Sequence, residues 1–230
     1  MSHTLGIGLG LLIAGVAAMG CTTPEEDSCN IRTPGIYVEY EVVESDNSAT
    51  ARATFWVGDA PGGTVLYLGQ CGDAVTVNGQ PLNKDGDLYR ASLTPADSYE
   101  FIFERSDEDP YISSVSTPPA VNVSAPSGES ISRASSFDVE WDANGSGSLD
   151  LLIEGDCIKD YPNVMGDSVP DNGLHTVNAG AIKPFVSSDE NESCTATVEL
   201  TRESGGSLSP SLKGTIKGQS VGTTSFKSTP

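Results

Sequence analysis

Basic side chains are scarce in this chain, histidine is almost absent, and no long apolar run follows the first two dozen residues. Twelve Lys and Arg stand against 32 Asp and Glu, a formal charge of −20 over 230 residues. Such a surface repels nucleic-acid phosphates and anionic headgroups, so neither is expected as a partner. The acidity itself fits solubility, a saline medium or divalent-cation binding, and only the last needs a specific site. The two histidines are His3 and His175, which leaves one imidazole beyond the N-terminal run for proton transfer or metal binding. The five cysteines form no Cys-x-x-Cys pair, which argues against a zinc site. No segment sustains the 3.6-residue apolar period of a helix.

What the chain does have is strict alternation. Ile36, Val38, Tyr40 and Val42 fall on one face of a strand with Glu39 and Glu41 on the other. Ala49, Ala51, Ala53, Phe55 and Val57 repeat the pattern, with Arg52 and Thr54 opposite, and Tyr99, Phe101 and Phe103 give a third strand. Val75-Thr76-Val77 runs into Asn78-Gly79, a dipeptide suited to a tight hairpin because both residues tolerate positive φ. Beyond Pro118-Pro119, Phe137, Val139 and Trp141 face one way and Asp138 and Glu140 the other. Leu149–Ile153, His175–Val177, Thr195–Arg202 and Gly214–Phe226 supply further strands, while Val169-Pro170-Asp171-Asn172-Gly173 is turn chemistry. The expected fold is all-β, with two antiparallel β-sandwich domains in tandem. Their bounds are 31–117 and 118–230, joined at the Ser116-Thr117-Pro118-Pro119 linker. The strand ending in Trp141, the strand through Cys194–Leu200 and the Cys pair resemble extracellular immunoglobulin-like or fibronectin-like modules over residues 120–228. The resemblance is one of pattern, since Trp141 precedes both cysteines of its half.

The N-terminus carries an address. The apolar run Leu5–Gly20 ends in Ala18-Met19-Gly20-Cys21 and gives way to Thr22-Thr23-Pro24-Glu25-Glu26-Asp27. This resembles the export signal of a bacterial lipoprotein. The resemblance implies removal of residues 1–20, acylation of the Cys21 thiol, and an acidic tether over 21–30. It also implies anchoring to the cell envelope, and the lack of Asp directly after Cys21 is similar to the pattern of outer-membrane lipoproteins. An ordinary secretory signal and a retained apolar helix are the other readings of the run.

Cysteine parity fits the lipid reading. With Cys21 acylated, Cys29, Cys71, Cys157 and Cys194 remain, an even set in a compartment that permits disulfides. Four cysteines allow three pairings. The Pro118-Pro119 break divides them two and two, so Cys29–Cys71 and Cys157–Cys194 are expected. Each closes a loop of about 40 residues, worth roughly 4 kcal/mol.

Catalytic patterns fail on context. Gly218-Gln219-Ser220-Val221-Gly222 matches the G-x-S-x-G nucleophile elbow, but that motif needs a strand–turn–helix setting and a later His, and none follows. A carboxylate dyad cannot be singled out among so many acids. For calcium, Asp142, Asn144, Ser146 and Asp150 fall at positions 1, 3, 5 and 9 of a loop with Gly147 at position 6, whereas position 12 is Ile153. The plain alternative is a polar hairpin turn. Trp56 shares a face with Arg52 and Thr54. Beside Tyr67 or Tyr89 it would form a sugar-stacking platform; covered by a loop it would simply pack. The expected function is therefore binding or assembly with an envelope or surface protein, without catalysis and without a required cofactor. A glycan-binding module, with or without calcium, is the alternative, and a carboxylate-based hydrolase comes third.

Overall fold

A computed structural model describes residues 25–144, 147–159, 167–185 and 191–230. Cys21, the apolar run and Ser146 lie outside them. Ten strands form the first part: β1 (Glu25–Asp27), β2 (Ile36–Ser45), β3 (Ser48–Val57), β4 (Val65–Tyr67), β5 (Ala74–Val77), β6 (Gln80–Pro81), β7 (Asn83–Asp85), β8 (Leu88–Leu93), β9 (Tyr99–Glu104) and β10 (Tyr111–Val115). Eight more follow: β11 (Val123–Ala125), β12 (Ser130–Ser132), β13 (Phe137–Trp141), β14 (Ser148–Glu154), β15 (Asp167–Pro170), β16 (Leu174–Val177), β17 (Cys194–Gly205) and β18 (Lys213–Thr229). The protein is all-β; its helical segments are short 3₁₀ turns, among them Ser28–Asn30 and Thr33–Gly35.

Local chemistry sets the strands as the alternation indicates. Ile36, Val38, Tyr40 and Val42 are buried, as are Ala49, Ala51, Ala53 and Phe55 across the hairpin and Tyr99, Phe101 and Phe103 on β9. At the β5–β6 turn Asn78 and Gly79 take φ of 48° and 77°, the pair of positive values that a two-residue hairpin of matching twist requires. The Asn78 side chain then holds β9, accepting from Glu100 N (2.8 Å) and donating to Ser98 O (3.1 Å).

One large sheet runs β1-β4-β3-β2-β18-β17-β14-β15, with β12 also on β18, and β8 on β3 carrying β7. Two smaller sheets cover it: β10-β9-β5-β6 and β11-β13-β16. The first core lies between β2, β3 and β8 on one side and β5, β9 and β10 on the other. The second joins Leu149, Leu151, Ile153, Val198 and Leu200 to Val139, Trp141 and Val177.

This differs from two antiparallel sandwiches divided at 117/118 in two respects. The large sheet is mixed, because β18 pairs with β2 in parallel, as do β12 with β18 and β1 with β4. It also passes through both halves. Leu212 and Ile216 belong to the first core, whereas Phe226, ten residues on, belongs to the second. One long strand serves two cores: its inner face carries Ile216 into the first and Phe226 into the second, with Gly218, Ser220 and Gly222 under the linker between them. The stretch expected as a tether is likewise part of the fold from Glu25 onward, through β1 and the Cys29–Cys71 bond.

The proline-rich linker is strapped to β17 and β18. Ser204 Oγ donates to Ser116 O, Ser220 Oγ to Pro118 O (2.6 Å), and Arg202 Nη1 to Pro119 O (3.2 Å) and Ala120 O (2.7 Å). Gly218 and Gly222 lie beneath the crossing. A Cβ on Gly218 would sit 2.8 Å from Ser116 O, and one on Gly222 would collide with the Val121 carbonyl. The G-x-S-x-G sequence is thus a bed for the linker backbone, with Ser220 buried inside a strand of 17 residues. Gly222→Ala is expected to cost about 3 kcal/mol through overpacking; a denaturation midpoint equal to that of the unaltered protein would refute this role.

Candidate functional site

The outer face of the large sheet is built from both halves. Register places its side chains in rows. Arg52, Glu41 and Lys217 stand abreast on β3, β2 and β18, and Thr50, Val43, Gln219 and Glu203 form the next row. Val221, Thr201 and Asp150 continue it onto β14, followed by Thr223, Glu199 and Leu152. Two open depressions lie along these rows, of about 610 Å³ around Thr201 and Gln219 and about 550 Å³ around Glu41 and Lys217, and Arg52 lines both.

An ion-pair ladder crosses the face. Arg52 Nη1 meets Glu41 Oε2 at 3.1 Å, Lys217 Nζ meets Glu41 Oε1 at 3.2 Å, and Lys217 Nζ meets Glu203 Oε2 at 3.3 Å. Burial pulls the Lys217 ammonium toward neutrality, but the hydrogen bonds and charges of Glu41 and Glu203 outweigh it and hold its pKa above the ordinary lysine value. As a partly exposed network it stabilises the fold little, so its use is to fix charges in register. Acids still outnumber bases on the face, with Glu39, Glu41, Asp85, Asp150, Glu154, Glu199 and Glu203 against Arg52, Arg90, Lys213, Lys217 and Lys227.

Trp56 lies on this same face, half-buried. Its neighbour is Tyr37 on β2, directly across the ladder, with ring centroids 6.1 Å apart and planes tilted by 56°. The other two aromatics considered with it serve elsewhere. Tyr67 lies under the Lys84 ammonium, 4.6 Å from its centroid. Tyr89 is buried, its hydroxyl accepting from Leu68 N at 2.7 Å and its ring edge-on to Phe55. Alternation had put Trp56 on the correct face, but the identity of its partner depended on which strand lies alongside.

The calcium set divides. Asp150 projects from β14 onto the outer face, opposite Thr201. Asp142 Oδ2 accepts from Asn122 Nδ2 (3.0 Å), and Asn144 N donates to Asp171 Oδ1 (3.3 Å). Asp142 and Asn144 therefore border a buried node on which Asp150 does not bear. At its centre is Asp171, held by Arg202 Nε on Oδ2 (2.8 Å), Arg202 Nη2 on Oδ1 (2.9 Å) and Trp141 Nε1 on Oδ1 (2.9 Å). The Arg202 hydrogen bonds keep the Asp171 carboxyl below its ordinary value, against the opposing effect of burial. From residue order Asp171 reads only as part of a turn, because its partners stand 30 residues before it and 31 after.

Other chemistry is structural. His175 sits half-exposed on β16 opposite Val139. Both disulfides, Cys29–Cys71 and Cys157–Cys194, join as expected, with Cα separations of 5.6 and 5.7 Å. Among the described residues Asp27, Cys29 and Cys71 gather closely enough for a metal, but the disulfide occupies both sulfurs. No helix among the described residues is long and apolar enough to cross a membrane.

No protein-family model matches this chain, and neither does any curated protein. Among solved structures it is similar to an I-band fragment from titin, at 9% identity over 83% of this chain, with a TM-score of 0.19. The chain spans 63% of that fragment's length. A score that low carries no argument for either fold family or function.

Proposed function

We propose that this chain is a lipid-anchored protein of the bacterial cell envelope, with two immunoglobulin-like sandwich modules, that binds a protein partner through the outer face of its large sheet and catalyses no reaction. The observation that carries this reading is the face itself. It crosses both halves on one rigid sheet, and the Arg52–Glu41–Lys217–Glu203 ladder fixes its charges in register. Its acidic excess favours a partner with a basic surface, since complementary potentials speed encounter and reject wrong partners. Anchoring through Cys21 would hold this body close to the membrane, because β1 begins only four residues later.

Two measurements test the reading. A photo-crosslinker at Thr223, in the full chain, is expected to capture one dominant envelope protein. A variant carrying Asp150→Lys and Glu199→Lys, whose side chains point away from both cores, is expected to lose that capture while melting unchanged. Capture that survives the charge reversal would sink the face as the binding surface. For the anchor, Cys21→Ser is expected to move the protein from the membrane fraction to the soluble one. Retention in the membrane would refute lipid attachment at that residue.

One observation favours a second reading. The Tyr37–Trp56 pair, flanked on the same face by Glu39, Thr54 and Lys213, offers an apolar ring surface beside groups that bind hydroxyls. A change in tryptophan fluorescence with envelope polysaccharide, lost on Trp56→Ala, would establish glycan binding, and no change would remove it.

A further inference from the structure

Among the described residues, a charged side chain of opposite sign stands beside each disulfide. Beside Cys29–Cys71 stands the Asp27 carboxylate, with one oxygen within 4.8 Å of both sulfurs. Beside Cys157–Cys194 stands the Arg133 guanidinium, itself largely buried, whose Nη1 donates to Cys157 Sγ at 3.7 Å. Arg133 is fixed there by further bonds from Nη1 and Nη2 to Glu192 O (both 3.0 Å) and from Nη1 to Ser228 Oγ (3.3 Å). The other sulfur also has a donor, since Cys157 N reaches Cys194 Sγ at 3.2 Å. Cys157 is buried, whereas Cys194 is partly open to solvent at the start of β17.

This asymmetry has a chemical meaning. Thiol–disulfide exchange starts when a thiolate attacks one sulfur and expels the other as a thiolate, and it speeds up as the leaving thiolate becomes more stable. A cation beside the leaving sulfur helps; a carboxylate beside it repels both the incoming and the outgoing anion. We infer that Cys157–Cys194 is a thiol-exchange site for a dithiol reductant, whereas Cys29–Cys71 is a lasting staple. A thiolate of the dithiol attacks the accessible Cys194 Sγ. The Sγ–Sγ bond breaks, and its electron pair leaves on Cys157 Sγ, next to Arg133. The second thiolate of the dithiol then attacks its own sulfur in the mixed disulfide and expels Cys194 as thiolate. The dithiol ends as a disulfide, two electrons have passed to the protein, and the two cysteines take up two protons.

Access alone predicts the reverse order. Cys29 is exposed, while Cys157 is buried. The experiment uses the full chain, with any thiol that is free before reduction first blocked by N-ethylmaleimide. Dithiothreitol is added for graded times, the reaction is quenched with iodoacetamide, and each cysteine is read by peptide mass spectrometry. Cys157 and Cys194 are expected to be labelled about tenfold faster than Cys29 and Cys71. Arg133→Met should remove most of that lead, and Asp27→Asn, at the end of β1, should speed Cys29–Cys71 while leaving the other bond unchanged. Opening of Cys29–Cys71 first, or of both at one rate, overturns the proposal, and this wild-type order decides it even where Arg133→Met does not fold. A lead that persists in a folded Arg133→Met protein overturns it equally.

Discussion

A chain ended at Gly205 is expected to unfold in both halves. A boundary at 117/118 would leave the first half intact after such a cut. The opposite outcome is expected here, because β18 contributes to both cores. Its loss strips β2 of the parallel ladder from Lys213↔Tyr37 to Val221↔Ser45 and β17 of its main partner. It also removes Leu212 and Ile216 from the first core and Phe226, packed 5.2 Å from Phe137, from the second. Three such side chains contribute roughly 1.5–3 kcal/mol each, which together approaches the whole stability of a domain, about 5–15 kcal/mol. The freed edges of β2 and β17 would then invite pairing between copies. Hydrogen exchange reads the result: amides of β2, β3 and β9 should lose protection together with those of β14 and β17. Native-like protection of β2 and β9 in the shortened chain would show that the first half stands alone.

Arg202→Met is expected to destabilise the protein by about 3–5 kcal/mol, the cost of leaving a buried carboxylate without its cation. Arg202 and Asp171 side chains are 5% and 2% exposed, so water cannot take over the lost bonds. The guanidinium also holds Pro119 O, Ala120 O and Asp142 O, which ties the linker and the end of β13 to β17. Lysine lacks that fork, so Arg202→Lys should recover little of the loss. Acid gives an independent signature. The Asp171 carboxyl titrates below its ordinary value in the folded protein. Its contribution is therefore complete above the unfolded pKa, about 3.9, and disappears as pH falls through the lower folded value. In Arg202→Met the unpaired carboxylate prefers to be protonated, so its effect reverses and stability falls as pH rises. Urea midpoints between pH 3 and 7 separate the two, and parallel pH profiles would exclude Asp171 as the titrating group.

Much of the local structure could be read from residue order. The period-2 faces of β2, β3, β9 and β13, the Asn78-Gly79 turn and both cysteine pairings depend on neighbours along the chain or on parity, and the structure has them all. Trp56 was placed on its outer face by the same rule. Its pairing with Tyr37 rather than Tyr67 or Tyr89 was not, because alternation assigns a face and says nothing of which strand lies alongside. The same gap hid the role of β18. A strand is expected from Gly214 to Phe226, but the parallel partner β2 lies more than 170 residues earlier, and no turn connects the two to fix their register.

Residue order by itself determined that this is an all-β, acidic, disulfide-stapled chain, because side-chain period, charge and cysteine parity are properties of the sequence. Tertiary structure alone decided that the two halves share one sheet, that Gly218, Ser220 and Gly222 bed the linker, and that Asp171 meets Arg202. Each of those depends on which distant backbones come within hydrogen-bonding reach, and that is settled only when both cores close around the same strand.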